Sequence, residues 1–192
     1  MTTFLLHGGA TSKDNKDNDE FFRQFTTLVD KQTVKILLCY WSREKSQWDV
    51  LAKRDASKIL KNTSKLVELY VLQNTKDLFS KLPEFDVLYV AGGEAKPIEP
   101  LYPALEDLKE ALKGKIYAGS SMGAFLVSEQ YVLSFDSQDS DTVHKGLGLI
   151  PMQILCHWNI ETKKQEKLKL LETHSDLPVL VLEESKFVTI YQ

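Results

Sequence analysis

Cysteine is nearly absent from this chain of 192 residues: Cys39 and Cys156 are the two it has, each beside an apolar run that reads as a strand. Two such positions make no disulfide framework, and a reducing compartment is the simpler expectation. No apolar stretch approaches the roughly eighteen residues of a membrane span. The start, Met1-Thr2-Thr3-Phe4-Leu5-Leu6-His7, has neither a basic region nor a long apolar one. A soluble, cytoplasmic protein without a membrane partner is therefore expected. Charge of one sign is not in excess either, since 24 Lys and Arg against 27 Asp and Glu leave a net charge of −3. That balance argues against a general nucleic-acid surface. Internal repeats and low-complexity segments are also missing. What remains is ordinary globular composition, 43% apolar and 27% charged, which suits one domain over residues 1–192 and leaves a homodimer open.

The order of apolar runs predicts alternating strands and helices. Phe4-Leu5-Leu6 stops at His7-Gly8-Gly9, and Phe21, Phe22, Phe25, Leu28 and Val29 recur at helical spacing. Val34 to Cys39 reads as a buried strand ending at Tyr40-Trp41-Ser42, and Val50 to Leu60 as a helix. Leu66 to Leu72 and Asp86 to Val90 read as further strands around a short helix at Asp77 to Leu82. A helix carrying Leu105, Leu108 and Leu112 precedes Lys115 to Ala118, the fifth strand. Such alternation predicts an α/β three-layer sandwich with a mainly parallel central sheet. Ligands of such sheets sit beyond the carboxyl ends of the strands, where His7-Gly8-Gly9, Tyr40-Trp41, Gly92-Gly93 and Ser121 would converge. Later, Gln130 to Phe135 reads as a strand and Glu161 to Glu172 as a charged helix. Val179 to Leu182 and Phe187 to Tyr191 are expected to close the chain as a hairpin around Glu183-Glu184-Ser185-Lys186.

Gly119-Ser120-Ser121-Met122-Gly123 lies between the fifth strand and a helix-compatible run, Ala124 to Val127. A strand that enters a helix through one strained turn pushes a side chain out at its tip, provided that the flanking residues are small. The pattern makes Ser121 a candidate nucleophile. A serine needs a base, and the base needs an acceptor to hold its tautomer. Of the four histidines, His157 ends an apolar segment that would deliver it to the sheet edge, so it is the candidate base. His7, His144 and His174 read as structural, surface and helix-end residues. Asp136 is the first choice for the orienting acid, with Asp139 and Asp141 as rivals. Met122, which follows the nucleophile, and the Gly92-Gly93 turn are candidate N–H donors to an oxyanion. Cys156, one residue before His157 in a strand, points to the opposite face and reads as buried.

Val90-Ala91-Gly92-Gly93, Ala118-Gly119-Ser120-Ser121-Met122-Gly123-Ala124 and Gly146-Leu147-Gly148-Leu149-Ile150-Pro151 leading to Cys156-His157 together resemble the peptidase E family of serine peptidases, which includes cyanophycinase-like enzymes. The resemblance implies a class I glutamine amidotransferase-like, flavodoxin-like fold and hydrolysis of small peptides, dipeptides among them. It implies Ser121 as nucleophile, His157 as base and Asp136 as the third member, with no metal or organic cofactor. Two departures bear on substrate binding. The family follows its glycine turn with Asn and Thr, whereas Glu94-Ala95 stands here, and an acid at that place suits a peptide's α-ammonium group. Family members specific for acidic residues carry a basic side chain after the histidine, which makes Lys163 a candidate partner for a carboxylate. Three other readings stay open. A glutamine amidotransferase would have cysteine at the turn and Glu two residues past the histidine, where Ser121 and Asn159 stand. An esterase-type hydrolase would use His174, and a silent binding domain would keep the fold alone.

Overall fold

The computed structural model describes residues 1–134, 137 and 139–192. Its elements follow one another as β1 (Thr3–His7), α1 (Lys16–Thr27), β2 (Thr33–Cys39), α2 (Trp48–Lys61), β3 (Leu66–Val71), α3 (Thr75–Lys81) and β4 (Val87–Val90). Then come α4 (Ala95–Ile98), α5 (Leu108–Ala111), β5 (Ile116–Ser120), α6 (Met122–Val127), β6 (Gln130–Val132), β7 (Val143–Lys145) and β8 (Gln153–Leu155). The chain ends with α7 (Lys164–His174), β9 (Val179–Val181) and β10 (Phe187–Tyr191).

Six strands form the central sheet in the order β10-β1-β5-β4-β2-β3. All its pairs are parallel except β10 with β1. Helices on both faces explain why β4 and β5 are buried along their whole length and read as unbroken apolar runs. Helix α1 begins at Asn15, whose side chain accepts from the Asn18 N–H, and buries Phe21, Phe22 and Phe25. Those rings meet Tyr89 of β4, the Phe25 and Tyr89 centroids lying 5.3 Å apart.

A second sheet, β7-β6-β8-β9, packs beside the first. Helix α7 is fastened to it by Lys167, whose buried Nζ lies 2.7 Å from Glu161 Oε2 and 2.6 Å from Leu133 O. An ammonium out of water needs such a carboxylate and carbonyl together. The expected terminal hairpin does not form. Strand β9 extends the second sheet on β8, while β10 crosses to the first sheet and pairs antiparallel with β1. The turn between them therefore spans two sheets. In the first sheet, parallel register brings His7 beside Ser120, Gly119 beside Val90, and Val90 beside Cys39, so four carboxyl ends share one edge.

Candidate active site

Between β5 and α6 the backbone turns at Ser121, with φ 50° and ψ −110°. The turn is tight because Gly119 and Gly123 face each other: a Cβ on Gly119 would lie 2.3 Å from Gly123 O, and one on Gly123 2.1 Å from Val90 O. A larger residue at Gly119 would force the turn open against Gly123, and one at Gly123 would push it off β4. Ser121 donates its N–H to His7 O at 2.9 Å, and its own carbonyl accepts from Ala124 and Phe125 in the first turn of α6. Its hydroxyl is turned to His157, with Oγ 2.9 Å from Nε2.

His157 follows β8 and is also held at positive φ, 59°. Left-handed backbone at a non-glycine residue costs about 1–3 kcal/mol. Here it is maintained by the His157 N–H bonded to Gly8 O at 3.1 Å and by the His157 carbonyl, which accepts from Ile160 and Glu161 at 3.0 Å each. The other ring nitrogen, Nδ1, lies 3.0 Å from Glu184 Oε1. Glu184 sits in the turn between β9 and β10, with its N–H bonded to Asn159 Oδ1 at 2.8 Å and its second oxygen 2.6 Å from Lys13 Nζ. Burial raises the Glu184 carboxyl pKa, but the hydrogen bonds and charges of Lys13 and His157 outweigh burial and hold it below the usual range.

The carboxylate that His157 Nδ1 meets is thus that of Glu184, and neither Asp139 nor Asp141 reaches the ring. Asp136 lies outside the described residues. The Asp141 carboxylate is occupied by Lys163, 3.0 and 3.1 Å away, and Asp139 meets His144 Nε2 through its backbone carbonyl at 3.4 Å. All three belong to the segment between β6 and β7, whereas His157 Nδ1 is turned to the segment that crosses between the sheets. Lys163, paired in this way, is not among the residues lining the cavity at Ser121.

That cavity, about 300 Å³, is lined by Ser121, His157, Glu184, Gly92, Gly93 and Glu94, and also by Arg43 and Arg54, which sequence reasoning had passed over. A Cβ on Gly92 would stand 3.0 Å from Ser121 Cβ, so the glycine turn runs directly alongside the serine. Met122 is the first residue of α6 and is buried. Arg43 donates from Nε to Gly92 O at 2.7 Å. Arg54 is anchored by buried Asp55, to which Nε donates at 2.7 Å. None of the other three histidines competes for the serine: His7 Nε2 lies 2.8 Å from Asn18 Oδ1, His144 Nδ1 lies 3.1 Å from Glu99 Oε1, and His174 closes α7. Cys156 is buried, and desolvation raises its thiol pKa far above the ordinary range. Among the described residues, no three His, Cys, Asp or Glu side chains gather so as to hold a metal ion, and no helix is long and apolar enough to cross a membrane.

The model of peptidase family S51 matches residues 4–192. The chain belongs to peptidase family S51. It is therefore a serine-type peptidase. No curated protein matches this S51 peptidase in sequence. Solved structures share its fold, two among them as follows. One is a Listeria monocytogenes EGD-e protein assigned as a peptidase E, 19% identical, with a TM-score of 0.62 over 100% of this chain and 99% of that one. The other is a peptidase from an acI-B1 Actinobacterium, 13% identical, with a TM-score of 0.67 over 98% of this chain and 83% of that one. The mostly parallel sheet flanked by helices is the glutamine amidotransferase-like fold of peptidase E proteins.

Proposed function

We propose that this S51 peptidase hydrolyses small peptides, dipeptides included, by acyl-enzyme chemistry at Ser121. The reading is carried by one observation, the chain of contacts from Ser121 Oγ to His157 Nε2 at 2.9 Å and from His157 Nδ1 to Glu184 at 3.0 Å. His157 takes the hydroxyl proton as Oγ attacks the peptide carbonyl, and Glu184 holds the Nδ1–H tautomer and offsets the charge that forms on the ring. The N–H groups of Met122 and of Gly92 or Gly93 receive the oxyanion. His157 then returns its proton to the leaving amine, and water releases the acyl group by the same route. A cavity of about 300 Å³ suits a small substrate. Glu94 supplies a negative charge for the α-ammonium group, and Arg43 and Arg54 supply positive charge for a carboxylate.

An active-site-directed fluorophosphonate should phosphonylate the enzyme, and peptide mapping should find the adduct on Ser121. No adduct, or an adduct elsewhere, would overturn the assignment. Free dipeptides should be cleaved faster than the same peptides with blocked termini, and equal rates would remove the roles given to Glu94 and the arginines.

The imidazole rests against Gly9, which has φ +111° and where a Cβ would lie 2.2 Å from His157 Cε1. Gly9→Ala must therefore displace the ring or the loop. A shift of about 1 Å at a reacting group costs about 100-fold in rate. That loss in kcat is expected, together with about 1–3 kcal/mol of stability from the strained backbone, read by denaturant unfolding. Wild-type kcat in the alanine variant would show that the ring has room to spare.

A further inference from the structure

Three successive carbonyls at the end of β1 hold the three segments that carry Ser121, His157 and Glu184. His7 O accepts the Ser121 N–H at 2.9 Å, Gly8 O accepts the His157 N–H at 3.1 Å, and Gly9 O accepts the Ser185 N–H at 3.0 Å. The Gly8 N–H closes the set on Lys186 O at 2.9 Å. This short loop is the common support of the site, yet its backbone is unfavourable at Ala10, a non-glycine residue held at φ 61°.

What holds it is the ring of His7, which is fully buried. Nδ1 accepts the Gly9 N–H at 3.0 Å, and Nε2 lies 2.8 Å from Asn18 Oδ1. Because a backbone N–H can only donate, Nδ1 must be bare, and the ring proton sits on Nε2, donated to Asn18. Asn18 in turn donates from Nδ2 to Ala10 O at 2.9 Å and to Lys13 O at 2.7 Å, so every polar atom of the pair is used. Phe21 packs on the imidazole with ring centroids 4.5 Å apart. The Ser120 hydroxyl stands 3.5 Å from Nδ1, at the limit of a hydrogen bond.

We infer that His7, as a neutral imidazole, is a positioning residue of the peptidase site, which holds the loop 8–10 in the one shape that aligns Ser121, His157 and Glu184. The inference rests on the reading of those three residues given above. Burial agrees with it, lowering the His7 pKa to about 4 against the Asn18 hydrogen bond that raises it; the charged and titratable groups around it are His157, Asp17 and Glu184.

Three variants test it, each followed by kcat, KM, the rate of fluorophosphonate labelling at Ser121 and thermal melting. His7→Asn puts Oδ1 where Nδ1 was and keeps the acceptor for Gly9, so it should stay within about tenfold of wild type. His7→Gln replaces only the contact to Asn18, and His7→Leu replaces neither. Both should lose about 100-fold in kcat and in labelling rate, as a displaced reacting group does, with KM little changed. Wild-type rates in the leucine variant, or a glutamine variant faster than the asparagine one, would overturn the inference. Should the leucine variant not fold, the order of the other two decides. Absence of label on wild-type Ser121 would overturn the reading of the site and this inference with it, whereas label on wild type with unchanged variants overturns the inference alone.

Discussion

Ser121→Ala is expected to lower kcat by about 10⁵- to 10⁶-fold, as loss of the nucleophile does in other serine peptidases, and to abolish fluorophosphonate labelling. The fold should barely register the change. Every backbone bond of the turn survives: the Ser121 N–H to His7 O, and the Ser121 carbonyl to Ala124 and Phe125. The one side-chain bond removed is that from Oγ to His157. A single hydrogen bond of this kind contributes about 1 kcal/mol, which a melting curve would read as a shift of a few degrees. Activity and stability thus separate cleanly in this variant. Peptide binding should persist, because Gly92, Glu94 and the arginines are untouched, so calorimetry on the inactive variant would give substrate affinity without turnover. Turnover that survived the substitution would move the chemistry to another residue.

The turn that carries Ser121 was legible in the sequence because its causes are local. Gly119 and Gly123 are required by contacts within a few residues and with the neighbouring strand, and the apolar run before them marks a buried strand. The parallel sheet was legible for the same kind of reason, since runs such as Val34 to Cys39 lose their polar alternation only when both faces are covered. Glu184 was not legible. Finding it required knowing that Val179–Val181 and Phe187–Tyr191 belong to different sheets, and strand pairing over such distances leaves no trace in local pattern. A hairpin turn gives Glu183-Glu184-Ser185-Lys186 no reason to approach the site, whereas a crossing between sheets brings Glu184 against His157. Strand β7, three residues long, is likewise too brief to show a period. Arg43 and Lys163 depart from expectation in opposite directions. Arg43 follows Tyr40-Trp41-Ser42, already expected at the sheet edge, and was missed by one residue. Lys163 was expected at the substrate and is instead paired with Asp141.

Glu184→Gln should therefore be the most informative substitution of a residue that sequence alone did not single out. The expected loss in kcat is about 10⁴-fold, the size seen when the acid of a comparable triad becomes its amide. The amide keeps the shape of the carboxylate but can present N–H₂ to His157 Nδ1, favouring the tautomer whose proton sits on Nε2 and faces the serine. Such a ring cannot accept the hydroxyl proton. Asp141→Asn provides the control, since that carboxylate holds Lys163 at the surface, and kcat should stay within about twofold of wild type, as for most surface changes. A second readout comes from pH. Because the folded protein holds the Glu184 carboxyl below its ordinary range, this group stabilises the fold above the unfolded carboxylate pKa and ceases to do so as pH falls through the lower folded value. The glutamine variant should lack that part of the acid-side loss in melting temperature. If Glu184→Gln retained full kcat, the 3.0 Å contact to His157 would be a structural bond only, and the orienting group would have to be sought elsewhere around the ring.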